Sequence, residues 1–519
     1  MAGRSQMYTG LGTPPEAAVV DKAIDRLKGA IGAEKVVTSM HGRAVRASCP
    51  APFPLHIWEE HVPDIVVLPK TTEDVVAVVR IANELKIPIV PRAGASDLCD
   101  LVVPLKKGIV LDVKSMDQVI EIDEENMCVT VQPGVNMWKL NELLGPLGLI
   151  FPDDPAGYYN AAIGGRIGAG GWSLLGMGYG HIHENLISME YVLPTGEVVW
   201  IGPGGGAKKI RKSSVGYRFK ELFTNTSGTL GVCTQAVLEL WPKAEVVAPA
   251  FFGFHSFPEA HHAADTLSKS GLRTLSGVFT FDERKVEFLR RDDEAWIPQP
   301  REIKAATGAV LYGTTAEVEG AKERMYQIFE HCGGMYLGNE ISELDWASRH
   351  DRYHLAMHGR DQSGNVVLMS WHCEDAGLNS SEIVEVNRKW NAIAAKHLSL
   401  PENDGIFDCW GSFSYVNSPL KGRGDWLTEV DWGIAELELT PERWARWVDI
   451  KREISLVTLE HGGSISACHG GTRPGDVELA VREELKEGSY ELMKKIKRLL
   501  DPNNIMNPNK YLLDEAYED

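Results

Sequence analysis

The sequence predicts an α+β protein of at least two domains. Three observations support this fold class: a β-α-β unit at residues 64–94, alternating strands directly after it, and helices that alternate with strands beyond residue 245. Parallel-type units mixed with hairpins are typical of α+β domains and not of a doubly wound sheet. The 519 residues also exceed the usual size of one domain.

The first domain is predicted over residues 55–245, after an N-terminal helical segment at residues 1–54. The helix of its β-α-β unit has apolar positions at helical spacing. Thr71 followed by Asp74 resembles a capping box at the start of that helix. Residues 119–135 contain two alternating strands around the acidic turn DEEN, which is a hairpin signature.

A second domain is predicted over residues 246–455, where helical stretches and strands alternate without glycine clusters. This alternation suits a domain with a sheet of its own. The remaining segment, residues 456–519, contains an amphipathic helix that Pro502 stops.

Charge, hydropathy and cysteine use limit the class of protein. The formal net charge of −19 argues against nucleic acid or anionic lipid as the main partner, since both need a positive surface. No apolar run has the length of a signal peptide or a membrane span, so we expect a cytoplasmic protein without an integral membrane segment. The eight cysteines are scattered and never form C-x-x-C, which predicts reduced thiols and neither a disulfide scaffold nor a zinc knuckle.

Three glycine-rich stretches compete for the role of phosphate-binding loop. Residues 202–209 lack the Gly-Lys-Ser/Thr ending of a nucleotide loop, so a solvated loop is the better interpretation. Residues 91–100 directly follow a predicted strand, and their backbone N–H groups could converge on a pyrophosphate; an ordinary β-turn is the alternative. Residues 163–171 allow close approach of the backbone and could pack against a flat ring system.

The order and spacing of several motifs carry more weight than any one of them. Along the chain they are PDIVVLPKTTEDV, PRAGAS, GIVLDV, VQPGV, IGGRIGAGG, YG, MEYVLPTGEVV, LFTNTSGTLGV and LLDPNNIMNPNK. This series resembles the FAD-linked oxidases of the vanillyl-alcohol oxidase type, which have a PCMH-type FAD-binding domain. Within them it is most similar to the FAD-dependent D-lactate, glycolate and D-2-hydroxyglutarate dehydrogenases. The resemblance covers about residues 60–245 and 455–511.

The resemblance implies a fold and a cofactor. The FAD-binding domain would consist of two subdomains, the second domain would be an α+β cap with an antiparallel sheet on the substrate side, and the C-terminal segment would return to the FAD domain. The positions that match the family's FAD-binding motifs are Arg92, Ala93, Gly94, Ala95, Ser96, Asp97, Pro133, Gly134, Gly164, Gly165, Gly168, Ala169, Gly170, Gly228, Thr229, Leu230 and Asn507.

The first loop differs from the family pattern in two ways. The family usually has glycine at the positions of Ala93, Ala95 and Asp97, and the carboxylate of Asp97 would repel a phosphate unless it turns away. Relatives that tether their flavin through this loop carry a histidine in it, whereas residues 91–100 contain none. We therefore expect FAD to be bound without a covalent bond.

The stretch YGHIHENLISME has the outline of a segment in the phenol-oxidising branch of the family. Its two histidines, His181 and His183, could approach the flavin ring. If this stretch is a strand, the two histidines share one face, because residues two apart on a strand point to the same side. They could then be metal ligands or surface residues. Satisfied or solvent-facing histidines are the simpler interpretation.

The stretch GGSISACHGG predicts the catalytic base. Residues 467–470, Ala-Cys-His-Gly, align with the Gly-Glu-His-Gly turn of the dehydrogenase branch, so the resemblance implies that His469 removes the substrate's hydroxyl proton. A histidine suits this role near neutral pH. Cys468 as a nucleophile is a poor interpretation, because adjacent residues usually point apart.

The metal site of the family is not evident. Those relatives often bind a divalent metal through two histidines of a His-x-Gly-Asp-Gly-Asn-type strand and the glutamate of the turn. The equivalent strand, VDWGIAELELT, offers only Asp431, Glu436 and Glu438, and Cys468 replaces the glutamate. We therefore expect no divalent metal.

A substrate carboxylate would then need a fixed cation, and a guanidinium is the best one. The pattern Trp346-x-x-Arg349 matches the family pattern that presents a substrate-binding arginine. Arg349 is therefore the candidate, and Arg352 is the second.

Three histidines spaced four residues apart follow this pattern. They could bind a metal on one face of a helix, but a solvated polar face is the better interpretation. They are His350, His354 and His358.

These interpretations converge on an FAD-dependent oxidoreductase that oxidises the CH–OH group of a small substrate, first of all a 2-hydroxy acid. Two alternatives stay open: the substrate could be a phenolic or other alcohol, or the chain could be an electron-relaying flavin subunit of a larger redox complex. The electron acceptor is not predicted, and neither is the oligomeric state, for which a homodimer is one option.

Overall fold

The N-terminal part of the chain builds a four-stranded sheet with helices. The structure, a computed structural model, describes residues 13–50, 59–292, 301–350, 369–417, 424–435, 438–470 and 476–518. The first elements are α1 (Ala17–Ile31), β1 (Val36–Val37), α2 (Met40–Ala44), β2 (Ile65–Val67), α3 (Thr72–Leu85), β3 (Ile89–Arg92) and β4 (Ile109–Asp112). The strands pair in the order β1-β2-β4-β3, with only β1 antiparallel to its neighbour.

The predicted β-α-β unit is confirmed as β2, α3 and β3. Helix α3 begins with the predicted capping box: Thr71 Oγ1 accepts a hydrogen bond from the N–H of Asp74 at 3.2 Å, and the Asp74 carboxylate accepts one from the N–H of Thr71 at 3.3 Å. The helix ends at Lys86, which has a φ of +53°. The N-terminal segment contributes more than helices, because β1 joins the sheet.

The second subdomain contains the predicted hairpin. Its elements are β5 (Val119–Asp123), β6 (Cys128–Val131), α4 (Met137–Leu144), β7 (Leu149–Ile150), α5 (Ile163–Ala169), α6 (Gly176–Tyr179), α7 (Ile182–Asn185), β8 (Leu186–Val192), β9 (Val198–Ile201), α8 (Phe219–Phe223), β10 (Val232–Glu239) and β11 (Trp241–Pro242). Five strands form an antiparallel sheet in the order β5-β6-β10-β8-β9, and β7 pairs with β11. Residues 163–169 of the glycine-rich stretch form helix α5, and Gly170 follows it with a φ of +63°.

The cap domain is built on a seven-stranded antiparallel sheet, as the resemblance implied. Its elements are β12 (Val246–Phe254), α9 (Phe257–Ser268), β13 (Leu275–Phe281), α10 (Glu283–Asp292), β14 (Ala305–Gly313), α11 (Thr315–His331), β15 (Met335–Tyr336), α12 (Asn339–Ala347), β16 (Ser370–Asn379), α13 (Ser380–Leu398), β17 (Phe407–Val416) and β18 (Asp425–Ile434). The strand order is β15-β12-β14-β13-β17-β18-β16.

Both faces of the cap sheet bury apolar side chains. One face packs against helices and includes Phe252 and Trp432. The other face includes Phe281 and Tyr415, which share a hydrophobic cluster with Trp172 from the segment after α5. The second face of the sheet is thus turned toward the FAD-binding domain.

The C-terminal part of the chain contacts both domains. It contains α14 (Pro441–Glu460) and α15 (Lys486–Leu500). Between them, Ser464 exchanges two backbone hydrogen bonds of 2.9 Å with Gly377 of β16. After α15, the N–H of Asn507 donates to the carbonyl of Ile89 in β3 at 2.7 Å. No helix in the described part of the chain combines the length and the apolar character that a membrane span requires.

Candidate active site

A cavity of about 520 Å³ lies between the cap sheet and the glycine-rich stretches. It is lined by the loop after β3, by α5 and by the loop before β10 on the FAD-domain side. On the other side it is lined by cap strands and by the C-terminal loop that carries Cys468 and His469. A ligand in this cavity therefore contacts both domains and the C-terminal loop.

The loop at residues 92–97 presents backbone to the cavity. Within the described part of the chain, the N–H groups of Gly94 and Ala95 donate no hydrogen bond. A Cβ at Gly94 would lie 2.4 Å from the carbonyl oxygen of Asn160, so the loop packs directly against the segment before α5. The two N–H groups remain available for phosphate oxygens, as in other backbone anion sites.

Asp97 turns its charge away from this anion site. Its Oδ1 accepts hydrogen bonds from the N–H groups of Cys99 and Leu101, both at 3.1 Å. The carboxylate therefore caps its own loop. The carboxylate of Asp97 is therefore turned away, as the sequence analysis required if this loop is to hold a phosphate.

The other predicted FAD contacts divide into two groups. Those that line the cavity are Pro133, Gly164, Gly165, Gly168, Ala169 and Gly228. A Cβ at Gly168 would meet nothing within 4 Å, so this position opens onto the cavity. Those that do not line it are Gly134, Gly170, Thr229, Leu230 and Asn507.

Gly134 and Asn507 support the cavity from behind. A Cβ at Gly134 would lie 2.5 Å from the carbonyl oxygen of Lys114, which explains the small residue there. The side-chain amide of Asn507 donates to the carbonyls of Leu101 at 2.9 Å and Ser227 at 2.7 Å. Asn507 thereby ties two cavity loops to the C-terminal segment.

His469 is held by a buried carboxylate of the cap sheet. Its Nδ1 lies 3.0 Å from Oδ1 of Asp375 on β16, and the N–H groups of Cys468 and His469 donate to Oδ2 at 2.5 and 3.3 Å. The side chain of Asp375 is 0% exposed and that of His469 is 15% exposed. Because a carboxylate only accepts, Nδ1 carries a proton and the lone pair of the neutral ring is at Nε2.

Two thiols and a second carboxyl group surround the imidazole. Sγ of Cys373 lies 3.4 Å from Nδ1 of His469, and Sγ of Cys468 lies 3.6 Å from Nε2. Glu429 of β18 lines the same cavity. Burial alone lowers the pKa of His469, but Cys373, Cys468 and Asp375 oppose burial and raise it well above its usual value. Burial raises the pKa of Glu429 and that of the Cys373 thiol.

Asp431 and Glu438, in the segment equivalent to the family's metal strand, have other partners. The Asp431 carboxylate accepts from Lys285 Nζ at 2.5 Å and from Trp371 Nε1 at 2.9 Å, and Glu438 is ion-paired with Arg443. Glu436 lies outside the described residues.

A different set of possible ligands exists among the described residues. Cys373, Glu429 and His469 each have a ligand atom within 4.8 Å of the others. This set was not predictable from the sequence, because its members come from three separate segments of the chain.

Arg349 lines the cavity and is held by Asp154. Its Nε donates to Oδ2 of Asp154 at 2.8 Å, its Nη2 to Oδ1 at 3.4 Å, and its Nη1 to the carbonyl of Trp346 at 2.9 Å. Burial raises the pKa of Asp154, but Arg349 and His350 outweigh burial and hold it below its usual range. These bonds use three of the five N–H donors of a guanidinium.

The prediction of a solvated polar face is wrong for His350. This residue is buried, its Nε2 lies 2.7 Å from Asp154, and its ring stacks on Tyr158 with centroids 4.5 Å apart. Arg352, His354 and His358 lie outside the described residues.

His181 and His183 lie on and beside helix α7, not on a strand. Nδ1 of His181 accepts from the N–H of Ser173 at 3.1 Å, and Nε2 lies 2.8 Å from the carbonyl oxygen of Asn417. His183 pairs with Glu184 at 2.8 Å. Neither histidine is among the residues that line the cavity. The satisfied or solvent-facing interpretation is therefore the one that agrees with the structure.

Sequence analysis missed Asp375, Cys373 and Glu429. The alternation in SWHCEDAGLN places Trp371, Cys373 and Asp375 on one face of β16. That signal was present in the sequence. The sequence did not show that β16 pairs with the loop that carries His469.

Comparison with known proteins agrees with this geometry. Residues 63–202 match the family model of an FAD binding domain, and residues 434–511 match that of the C-terminal domain of FAD linked oxidases. The chain is 28% identical over 463 residues to glycolate oxidase subunit GlcD of Bacillus subtilis, covering 88% of this chain and 90% of that one. It is 28% identical over 452 residues to D-lactate dehydrogenase of Archaeoglobus fulgidus, covering 86% and 90%.

A solved structure shows the same fold. The p-cresol methylhydroxylase structure with substrate bound superimposes with a TM-score of 0.78 at 20% identity, covering 96% of this chain and 98% of that one. The two family models, the relatives and this fold agree with the motif series read from the sequence. The chain thus contains an FAD binding domain and a C-terminal domain of FAD linked oxidases, and it is similar to glycolate oxidase subunits and D-lactate dehydrogenases.

Proposed function

We propose that the protein is an FAD-dependent oxidoreductase that oxidises the CH–OH group of a 2-hydroxy acid, with His469 as the catalytic base. The observation that carries the proposal is that a carboxylate-oriented histidine lines the same cavity as the loop at 92–97. The names of two relatives support it, because glycolate and D-lactate are both 2-hydroxy acids.

The residues at the cavity fit FAD. The N–H groups of Gly94 and Ala95 suit the pyrophosphate, and the open position at Gly168 leaves room for a flat ring. When bound, FAD supplies the two-electron acceptor for the hydride that leaves carbon 2 of the substrate. The loop contains no histidine, which supports binding without a covalent bond.

His469 accepts the hydroxyl proton at Nε2. Asp375 keeps Nδ1 protonated, orients the ring and stabilises the imidazolium that forms, as the carboxylate does in a Ser-His-Asp triad. The raised pKa of His469 makes the neutral ring a strong base and favours proton uptake.

Arg349 holds the substrate carboxylate. Asp154 and the carbonyl of Trp346 fix the guanidinium, and two N–H donors remain, which is the number that a bidentate contact uses. The contact with Asp154 also balances the charge of the guanidinium before the substrate binds.

The reaction proceeds without a divalent metal in this proposal. With Nδ1 of His469 held by Asp375, Nε2 can act as the base or ligate a metal, but not both. Burial also disfavours the anionic forms of Cys373 and Glu429, which are the forms that bind metals.

A cytoplasmic location is part of the same proposal. None of the eight cysteines, all of which lie in the described part of the chain, forms a disulfide bond, although several are buried in the cores of their domains. Free thiols are typical of proteins in a reducing compartment. Fractionation of the native host's cells tests the location directly.

Anaerobic reduction of the bound flavin tests the proposed function. The purified holoenzyme is mixed without oxygen with glycolate, both enantiomers of lactate and of 2-hydroxyglutarate, and both enantiomers of 3-phenyllactate. Loss of the oxidised flavin absorption band with at least one of these acids is the expected result. A band that persists with every acid contradicts the proposal.

The same experiment separates an electron-relaying subunit from an enzyme. A relay subunit would co-purify with partner chains. The rate at which its flavin is reduced would be the same in His469→Ala as in the wild type. An enzyme with His469 as base would lose substrate-driven reduction in that variant while keeping its flavin.

A further inference from the structure

We infer that the site selects 2-hydroxy acids that carry an aromatic ring on the carbon-2 substituent, in preference to lactate or glycolate. This inference rests on the proposed function and specifies its substrate class. It comes from an aromatic wall that the cap sheet and helix α10 form in the same cavity as His469. The wall consists of Phe281, Phe288, Trp371, Trp410, Phe413 and Tyr415, all of which line the cavity.

The register of the cap sheet places the aromatic wall next to the base. Asp375 of β16 lies opposite Glu429 of β18, Glu429 lies opposite Phe413 of β17, and Phe413 lies opposite Phe281 of β13. Directly opposed residues have side chains on the same face of the sheet. One row across the sheet therefore runs from the carboxylate that holds His469 to two phenylalanine rings.

The spacing of this row fits a ring-bearing substrate. Asp375 and Phe413 are separated by two strand spacings, which is about 10 Å. A substrate whose hydroxyl group meets His469 reaches this wall only if its carbon-2 substituent extends across the row. The methyl group of lactate ends one bond from carbon 2, whereas a phenyl or benzyl group extends to the wall.

The wall is aromatic and mainly apolar. The rings of Phe288 and Trp410 stack with centroids 4.9 Å apart and an interplanar angle of 17°. Nζ of Lys285 lies 5.3 Å from the ring centroids of both Phe288 and Phe413. Aromatic side chains favour an aromatic partner by apolar burial and by stacked or edge-to-face ring contacts.

Lys285 does not make this part of the cavity a second carboxylate site. Its Nζ is 2.5 Å from Asp431, and both side chains are buried. The lysine charge is thus balanced inside the protein. A substrate with an acidic carbon-2 substituent, such as 2-hydroxyglutarate, would place an unbalanced charge against aromatic rings, which is costly.

The test compares matched substrates in anaerobic flavin reduction by the holoenzyme. Lactate and 3-phenyllactate differ only in the ring, and 1-phenyl-2-propanol replaces the carboxylate of 3-phenyllactate by a methyl group. We expect the second-order rate constant for flavin reduction to be at least about tenfold higher for one enantiomer of 3-phenyllactate than for either enantiomer of lactate. We expect 1-phenyl-2-propanol to react far more slowly than 3-phenyllactate.

Variants of the wall make the test specific. Phe288→Leu should lower the rate constant for 3-phenyllactate about tenfold and change that for lactate less than about twofold. Phe413→Leu is a second variant with the same expectation. Phe252→Leu is the matched control, since Phe252 is a buried ring of the same sheet on the face that packs against helices.

The outcomes separate this inference from the proposed function. Equal or faster reaction with lactate overturns the aromatic preference and leaves the proposed function standing. Equal losses with both acids in Phe288→Leu and Phe413→Leu also overturn the preference. No reduction by any 2-hydroxy acid, or equally fast reduction by 1-phenyl-2-propanol, overturns the proposed function itself.

Discussion

The two sides of the cavity are built in different ways. The cofactor side is made mainly of backbone: Gly94 and Ala95 present N–H groups, and Gly168 leaves open space. The side that we propose for the substrate is made of side chains from cap strands, from the segment after α12 and from the C-terminal loop, with His469 held by Asp375 and Arg349 held by Asp154. The backbone side depends on small residues in the right order, whereas the side-chain side depends on contacts between distant segments.

This difference has a functional consequence. A substitution on the cofactor side should change how much FAD the protein holds but not how fast each bound flavin is reduced. Damage to the substrate side should change the rate per flavin but not the FAD content. Both the FAD content and the rate of reduction per bound flavin are therefore measured for each variant.

The largest effect is expected for Asp375→Asn. The variant loses the carboxylate that orients His469 and stabilises its protonated form, so flavin reduction by a 2-hydroxy acid should slow by about a hundredfold or more. Its FAD content should match the wild type. A rate within about threefold of the wild type would show that Asp375 does not position the base.

The same variant should shift the pH profile. A base acts in its unprotonated form, so wild-type kcat/KM should rise with pH through the raised pKa of His469, above the usual 6.5. Removing the Asp375 charge removes one cause of that raised pKa, so the rising limb should move to lower pH. If the rising limb of kcat/KM lies at the same pH in Asp375→Asn, the group that titrates is not His469.

Gly94→Ala should damage the cofactor side. The new Cβ would lie 2.4 Å from the carbonyl oxygen of Asn160, so the loop must shift, at a cost of about 1–3 kcal/mol. We expect purified protein with a clearly lower flavin-to-protein absorbance ratio but normal reduction of the flavin that remains. The control is Gly206→Ala, where a Cβ would meet nothing within 4 Å. Equal FAD content in both variants would contradict the account of this loop.

Arg349→Lys should have a smaller effect on the substrate side. Lysine keeps the charge but loses the planar two-point contact with a carboxylate, so KM should rise about tenfold while kcat falls less. Steady-state kinetics with the best 2-hydroxy acid measures both constants. A variant with unchanged KM would remove Arg349 from carboxylate binding.

The smallest effect is expected for metal removal. Dialysis of the holoenzyme against a chelator should leave flavin reduction unchanged, and elemental analysis should find no stoichiometric metal. A loss of activity that added Zn²⁺ or Mn²⁺ restores would instead assign Cys373, Glu429 and His469 as metal ligands.

Acid precipitation of the same sample should release FAD into the supernatant, as expected for flavin held without a covalent bond.

Local features of the fold were predictable from the sequence. The capping box at Thr71 and the hairpin around DEEN depend on residues close together in the chain, so their patterns are visible directly. The order of the glycine-rich motifs likewise predicted the loop at 92–97. The sequence missed strand β1, because a strand of two residues carries almost no periodicity.

The substrate side was predictable only in part. The resemblance to family motifs pointed to His469 and Arg349, which both line the cavity, but the contact of His469 with Asp375 joins residues 94 positions apart. Such a contact depends on the register of β16 and on the path of the C-terminal loop. Helix α7 was missed because a single helical turn is too short to show a period, which misplaced His181 and His183 on a strand.

The most direct test of the account is the anaerobic reduction rate of His469→Gln, with His183→Gln as the matched control. His183 lies outside the cavity and 40% of its side chain is exposed, so its variant should react like the wild type. The account predicts that His469→Gln binds FAD normally and that its flavin is reduced by the best 2-hydroxy acid at least about a hundredfold more slowly. Reduction at the wild-type rate in His469→Gln would contradict the assignment of this histidine as the base.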